Sequence, residues 1–244
     1  MRSHKHLLNH RLVQNALKES EFRVGAQATD EEVKILVHGI VGDEWTGLDS
    51  LSVSEFLHSN SGKSVTVDIN SVGGSAYDGL AIFNALEQHD GPTTGIVTGE
   101  AASAASIILQ GVKHRVMLSN TMQMVHKSNV ITWGNADDMR DVASILDICD
   151  ECLLESYVAA TGQPQDVVLS LMRGEGKMDG TYMTAKTAFD FGFCDEVRSI
   201  KQKAESPKNQ TEQHLRDERN RSKLVATRAR SVMVRQQMAT MAEN

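Results

Sequence analysis

The chain has 244 residues, 40% of them apolar and 23% charged, with a formal net charge of −7. That is the make-up of a globular protein of one or two domains, and it excludes collagen-like, low-complexity and wholly disordered classes. No run approaches the roughly 20 apolar residues needed to cross a bilayer, and with six Phe, three Tyr and two Trp the core must be aliphatic.

Residues 1–31 are polar, with scattered charge, and read as an N-terminal arm. The first twenty lack the apolar stretch and cleavage site of a secretory signal, so a cytoplasmic protein is expected. Val33–His38 (VKILVH) is a buried-strand pattern ended by Gly39. Apolar residues at 48, 51, 53, 56 and 57 predict a helix over Leu48–His58. Val65–Ile69 alternates as a strand and runs into Asn70-Ser71-Val72-Gly73-Gly74-Ser75; a helix follows over Tyr77–Gln88. Thr94–Thr98 is a third strand, which Gly99 is expected to break, and Ala102–Leu109 a small-residue helix. Arg115–Leu118 and Met122–Val125 are short strands. The longest helix is Asn135–Ala160, capped by Asn135 with acids at 137 and 138 and ended by Gly162 and Pro164. Gln165–Met172 and Ala185–Phe191 complete the helices. Alternation of strands and helices predicts an α/β domain with mostly parallel pairing, spanning residues 32–199.

From Lys201 onward ten Lys/Arg face five acids, a net of +5, which leaves the body at −12. Residues 200–244 therefore read as a basic polar tail; without interleaved aromatics it gives no sign of nucleic-acid stacking. Three cysteines argue against a disulfide framework. Cys149 and Cys152 form a C-x-x-C, but a structural zinc site wants four ligands, and the pair sits within a helix. Buried packing is expected for both, and no metal or cofactor.

Two strand-to-helix junctions can carry chemistry. Gly73-Gly74 lets the backbone approach a ligand and aim N–H groups at an oxyanion, or simply makes a turn. Gly99-Glu100-Ala101-Ala102-Ser103-Ala104-Ala105-Ser106 places Ser103 where a helix N-terminus favours developing negative charge, or where close packing needs small residues. His126 ends the strand MQMV, a structural residue or the base that a serine nucleophile requires. A later acid would complete the order Ser…His…Asp.

These blocks resemble a ClpP-type serine protease: Ile69 to Ser75, Gly99 to Ser103, Met124-Val125-His126, Thr161 to Pro164, Met183-Thr184-Ala185 and Ala188 to Val197. The resemblance covers Val33 to Val197. Its Ala-Ala-Ser-Ala-Ala-Ser block is similar to bacteriophage head maturation (prohead) proteases, and the polar tail also departs from cellular chains. The resemblance implies a ClpP/crotonase-type spiral of β-β-α units, with Asn135–Ala160 as a protruding handle through which subunits meet in a homo-oligomeric ring. It implies Ser103 as nucleophile and His126 as general base. It also implies an oxyanion hole from the N–H groups of Gly74 and Ala104, with Gly73 as a third candidate. The family's Asp column falls on Gly180, so Asp179, one residue earlier, is assigned the third role over Glu175 and Asp190; a Ser–His pair is the other option. The implied substrate is a capsid or scaffold protein, in host cytoplasm or prohead, with no membrane or nucleic-acid partner and the need for an ATPase left open. Two alternatives compete: a crotonase-type acyl-CoA enzyme, and an inactive capsid-assembly factor on the same fold.

Overall fold

The computed structural model describes residues 27–28, 32–42, 48–174 and 179–200. The expected arm, apart from Gln27 and Ala28, the tail beyond Ile200, and Glu175 lie outside the described residues. Strands β1 (Gln27–Ala28), β2 (Glu32–Val41), β3 (Ser64–Gly74), β4 (Thr93–Ala102), β5 (His114–Leu118) and β8 (Glu196–Arg198) form one sheet in that order. β6 (Met122–Val125) pairs with β4 on one side and with β7 (Thr181–Thr184) on the other. Pairing is parallel except at β1–β2 and β6–β7. Among the described residues, six helices complete the fold: α1 (Ser50–Ser59), α2 (Ala76–Glu87), α3 (Ala104–Gln110), α4 (Ala136–Thr161), α5 (Gln165–Arg173) and α6 (Ala185–Phe191).

Gly99 does not end its strand. A four-residue step in β4, Val97 to Ala101, lies opposite a two-residue step in β3, Ile69 to Ser71. The extra residues make a bulge, and the Asn70 amide occupies the space a Cβ at Gly99 would need. Glycine here permits a close side-chain approach and lets β4 run on to Ala102. The consequence is that β4 has two neighbours in succession: Thr94–Val97 pair with β5, and Glu100–Ala102 pair with β6.

The core is aliphatic. Val33, Ile35, Val37, Val65, Val67, Ile69 and Val97 fill the sheet, and every residue of α3 is buried. The small side chains of α3 serve packing as well as chemistry: a Cβ on Gly79 of α2 would stand 3.1 Å from that of Ala104. Among the described residues, Tyr157 and Phe193 are the buried aromatics, edge to face at 5.6 Å. Buried Arg115 donates two side-chain bonds to Asp195, at 3.0 and 2.7 Å, and others to Gln110 and the Ala160 carbonyl. That cation ties β5, the ends of α3 and α4, and the turn into β8.

α4 is a 26-residue helix, about 39 Å long at 1.5 Å per residue. A reciprocal cap between Asn135 and Asp138 starts it and left-handed Gly162 (φ 66°) ends it. Its second half is buried through Cys149, Asp150, Leu153, Leu154 and Tyr157, while Ile145 and Ile148 stand 52% and 62% exposed on the projecting first half. One expectation for this helix changes: Cys152 is exposed while Cys149 is buried, because the core reaches only one side of the helix. Among the described residues, no helix is long and apolar enough to cross a membrane.

Candidate active site

Strand register assembles the site. Ala102 lies beside Met124, so the residues that leave β4 and β6, Ser103 and His126, emerge side by side. On the other side of β6, Val125 pairs with Thr181, which brings the two residues before β7 opposite His126. Ser71 pairs with Ala101, which sets Gly73 and Gly74 against the Ser103 turn.

The side chains meet accordingly. His126 Nε2 is 2.7 Å from Ser103 Oγ, and His126 Nδ1 is 3.2 Å from Asp179 Oδ2. The histidine side chain is only 13% exposed, whereas the aspartate is 65% exposed. Gly180 has φ +78°, and a Cβ there would collide with the Val125 carbonyl and with Cβ of His126. A side-chain acid is therefore sterically excluded from the column where the resemblance places it, and the preceding residue reaches the histidine instead. Asp190 pairs with Lys186 on α6 at 3.0 Å.

Ser103 has φ 53° and ψ −125° and is the one non-glycine residue at positive φ among the described residues. Such a conformation costs on the order of 1–3 kcal/mol and persists only where its surroundings over-determine it. Here the Ser103 N–H donates to Met124 O at 3.0 Å, and its carbonyl accepts from Ser106 N–H at 2.9 Å. Gly73 gives the turn room, since a Cβ there would lie 2.6 Å from Cβ of Ser103. A strained strand-to-helix turn that exposes a serine hydroxyl beside a helix N-terminus suits a nucleophile.

Of the three backbone donors expected at the oxyanion, Ala104 is the first residue of α3, where a helix leaves its N–H without an internal partner. The Gly73 N–H is engaged elsewhere, donating to Ser71 Oγ at 3.1 Å. Gly74 adjoins Ser75 at the end of β3. A cavity of about 440 Å³ opens from Ser103 and His126 and runs beneath α4. Val130, Val142, Leu146, Cys149 and Leu153 wall it, so it suits an apolar side chain. Burial raises the Cys149 thiol above its ordinary pKa, with a Ser128 hydrogen bond opposing.

Three supporting groups escape sequence reasoning. Asn129 Nδ2 donates to the same Asp179 oxygen at 3.2 Å. Buried Asp150 accepts from Ser128 N–H and Oγ at 2.6 and 2.8 Å and pairs with Lys127 Nζ at 2.8 Å, pinning the segment after His126 to α4. Tyr157 reaches Ser106 from α4 at 2.6 Å. A polar residue on the buried stripe of α4 is the only signal the sequence offers for the last two.

Residues 27–201 match the family model described as Clp protease. The fold is similar to that of a mutant ClpP1 from Listeria monocytogenes, at TM-score 0.58 and 22% identity, over 69% of this chain and 92% of that one. The chain belongs to the Clp protease family. Membership supports serine peptidase activity, and members form homo-oligomeric rings and act on protein substrates.

Proposed function

Proceeding from that membership, we propose that this chain is a serine endopeptidase with Ser103 as nucleophile, His126 as general base and Asp179 as the acid. The observation that carries the reading is the strained Ser103 with its hydroxyl 2.7 Å from an imidazole whose other nitrogen faces a carboxylate. In the first step His126 Nε2 takes the Ser103 proton as Oγ attacks a peptide carbonyl. Nδ1–H donates to Asp179, which fixes the tautomer and stabilises the imidazolium. The carbonyl oxygen becomes an oxyanion, accepting from the N–H groups of Gly74 and Ala104. The imidazolium then protonates the leaving amine, and water repeats the cycle on the acyl-enzyme. The apolar cavity seats a side chain of the substrate.

The finer reading is a prohead protease that cleaves capsid or scaffold proteins. The Ala-Ala-Ser-Ala-Ala-Ser block and the basic polar tail support it. The body 32–199, with β1 (Gln27–Ala28) joined to its sheet edge, is then the protease domain, the rest of the segments 1–31 and 200–244 are appendages, and α4 is the contact between subunits. Co-expression with the genes that flank its own tests the proposal. Cleavage of a neighbour's product that disappears in Ser103→Ala supports it. Identical cleavage by Ser103→Ala refutes the nucleophile, and intact neighbours beside an active peptidase refute the head-maturation role.

A further inference from the structure

Behind the Ser103 turn lies a buried line of hydroxyls that the proposed triad does not use. Ser106 is fully buried one turn along α3, and Tyr157 on α4 is 1% exposed. Ser106 Oγ lies 2.7 Å from the Ser103 carbonyl and 2.6 Å from Tyr157 Oη. A carbonyl only accepts, so the single Ser106 proton goes to Ser103 O. Its oxygen must then accept from Tyr157, whose O–H donates. The direction is fixed along the whole line, from Tyr157 through Ser106 to Ser103. Burial, opposed by the Ser106 bond, pushes the tyrosine pKa up, so it stays protonated at any working pH. A helical serine commonly bonds the carbonyl three residues back. The donor from a second helix, 51 residues along the chain, is what sets this one apart.

The Ser103 carbonyl and the Ala104 N–H belong to one planar trans peptide, in which they point in opposite directions. Drawing the carbonyl toward Ser106 therefore aims the Ala104 N–H the other way, toward the active-site side of the turn. We infer that Ser106 and Tyr157 are positioning residues that lock the 103–104 peptide plane and so aim the Ala104 oxyanion donor. The inference rests on reading Ser103 as the nucleophile. It gives the strained φ of Ser103 a restraint anchored outside the turn itself. It also makes the seating of α4, the wall of the apolar cavity, part of the oxyanion geometry.

Three variants and two readouts test it. Losing an oxyanion donor outright costs about 10²–10³ in turnover. Ser106→Ala leaves the backbone N–H bonds from residues 106 and 107 on the same carbonyl, at 2.9 and 3.4 Å, and loosens the donor's orientation without deleting it, so kcat should fall roughly 10- to 100-fold with KM nearly unchanged, a smaller loss than outright deletion. Tyr157→Phe keeps the ring against Phe193 and removes one remote hydroxyl, so its loss should be smaller, on the order of 3- to 10-fold. In the Ser106→Ala background it should cost nothing further, because the line is already cut. The second readout is amide hydrogen exchange over 102–107, which should quicken in each variant while the sheet keeps its protection. Wild-type kcat in Ser106→Ala, or losses that add in the double variant, overturns the inference. If a fluorophosphonate fails to label wild-type Ser103, the peptidase reading falls, and exchange decides alone: quickening over 102–107 supports the lock, unchanged protection overturns it.

Discussion

Replacing Asp179 by Asn keeps the shape of the site and removes the charge opposite His126. In a buried triad that change costs about 10⁴-fold in kcat. Asp179 is not buried: its side chain is 65% exposed and its bond to Nδ1 is 3.2 Å long. A hydrogen bond to a charged group is worth about 1.5–3 kcal/mol, and exposure places this one at the lower end. At about 1.4 kcal/mol per decade, the lower end is a loss of roughly 10-fold, and the upper end of the range would be roughly 150-fold. Steady-state hydrolysis of a fluorogenic peptide with an apolar residue before the scissile bond reads the change, and thermal unfolding should move little. A 10⁴-fold loss would show that the working site desolvates this acid, as a subunit packed over it would. A loss under twofold would make Asp179 a bystander and leave a Ser–His pair.

Asp195→Ala strands the buried Arg115 guanidinium with only Gln110 and the Ala160 carbonyl. Removing one partner of such a pair costs about 3–5 kcal/mol; urea unfolding checks this, and a loss below about 1 kcal/mol contradicts it. The hydrogen bond from His114, with the Arg198 guanidinium adding and burial opposing, lowers the Glu196 pKa from 4.5 to about 2. A depressed carboxylate stabilises the fold above its unfolded pKa and loses that contribution as pH falls toward 2. The stability gap between wild type and Glu196→Gln should therefore close over that window, and a gap constant with pH refutes the assignment. Ile145→Asp with Ile148→Asp should lower the solution mass in light scattering with unchanged circular dichroism; an unchanged mass removes the outer face of α4 from any subunit contact.

Periodicity carried most of the fold. β6 and α6 fall on their expected bounds, and α4 within a residue or two, because alternation and three-to-four spacing there are uninterrupted and Asn135 and Gly162 punctuate the long helix. Gly99 misled, because a glycine that stops a strand and one that bulges it look alike until Asn70 is seen in the space. β7 and β8, with four and three residues, exist through their pairing partners and have no period of their own. Ser103 and His126 were legible as residue types at two strand ends. Their meeting depends on β4 changing neighbours from β5 to β6, a tertiary fact. Asp179 was legible as the acid nearest the expected column; the crowding that bars a side chain at Gly180 while Asp179 meets His126 is, again, a tertiary fact.

The central claim is that Ser103 is a nucleophile activated by His126. The most direct measurement is intact and peptide mass spectrometry of the full chain after exposure to a fluorophosphonate. One adduct per chain, on the peptide that contains Ser103, is expected; it should be absent in Ser103→Ala and slowed by about 10⁴-fold in His126→Ala. An unlabelled Ser103 in the assembled protein, or labelling at full rate without His126, contradicts it.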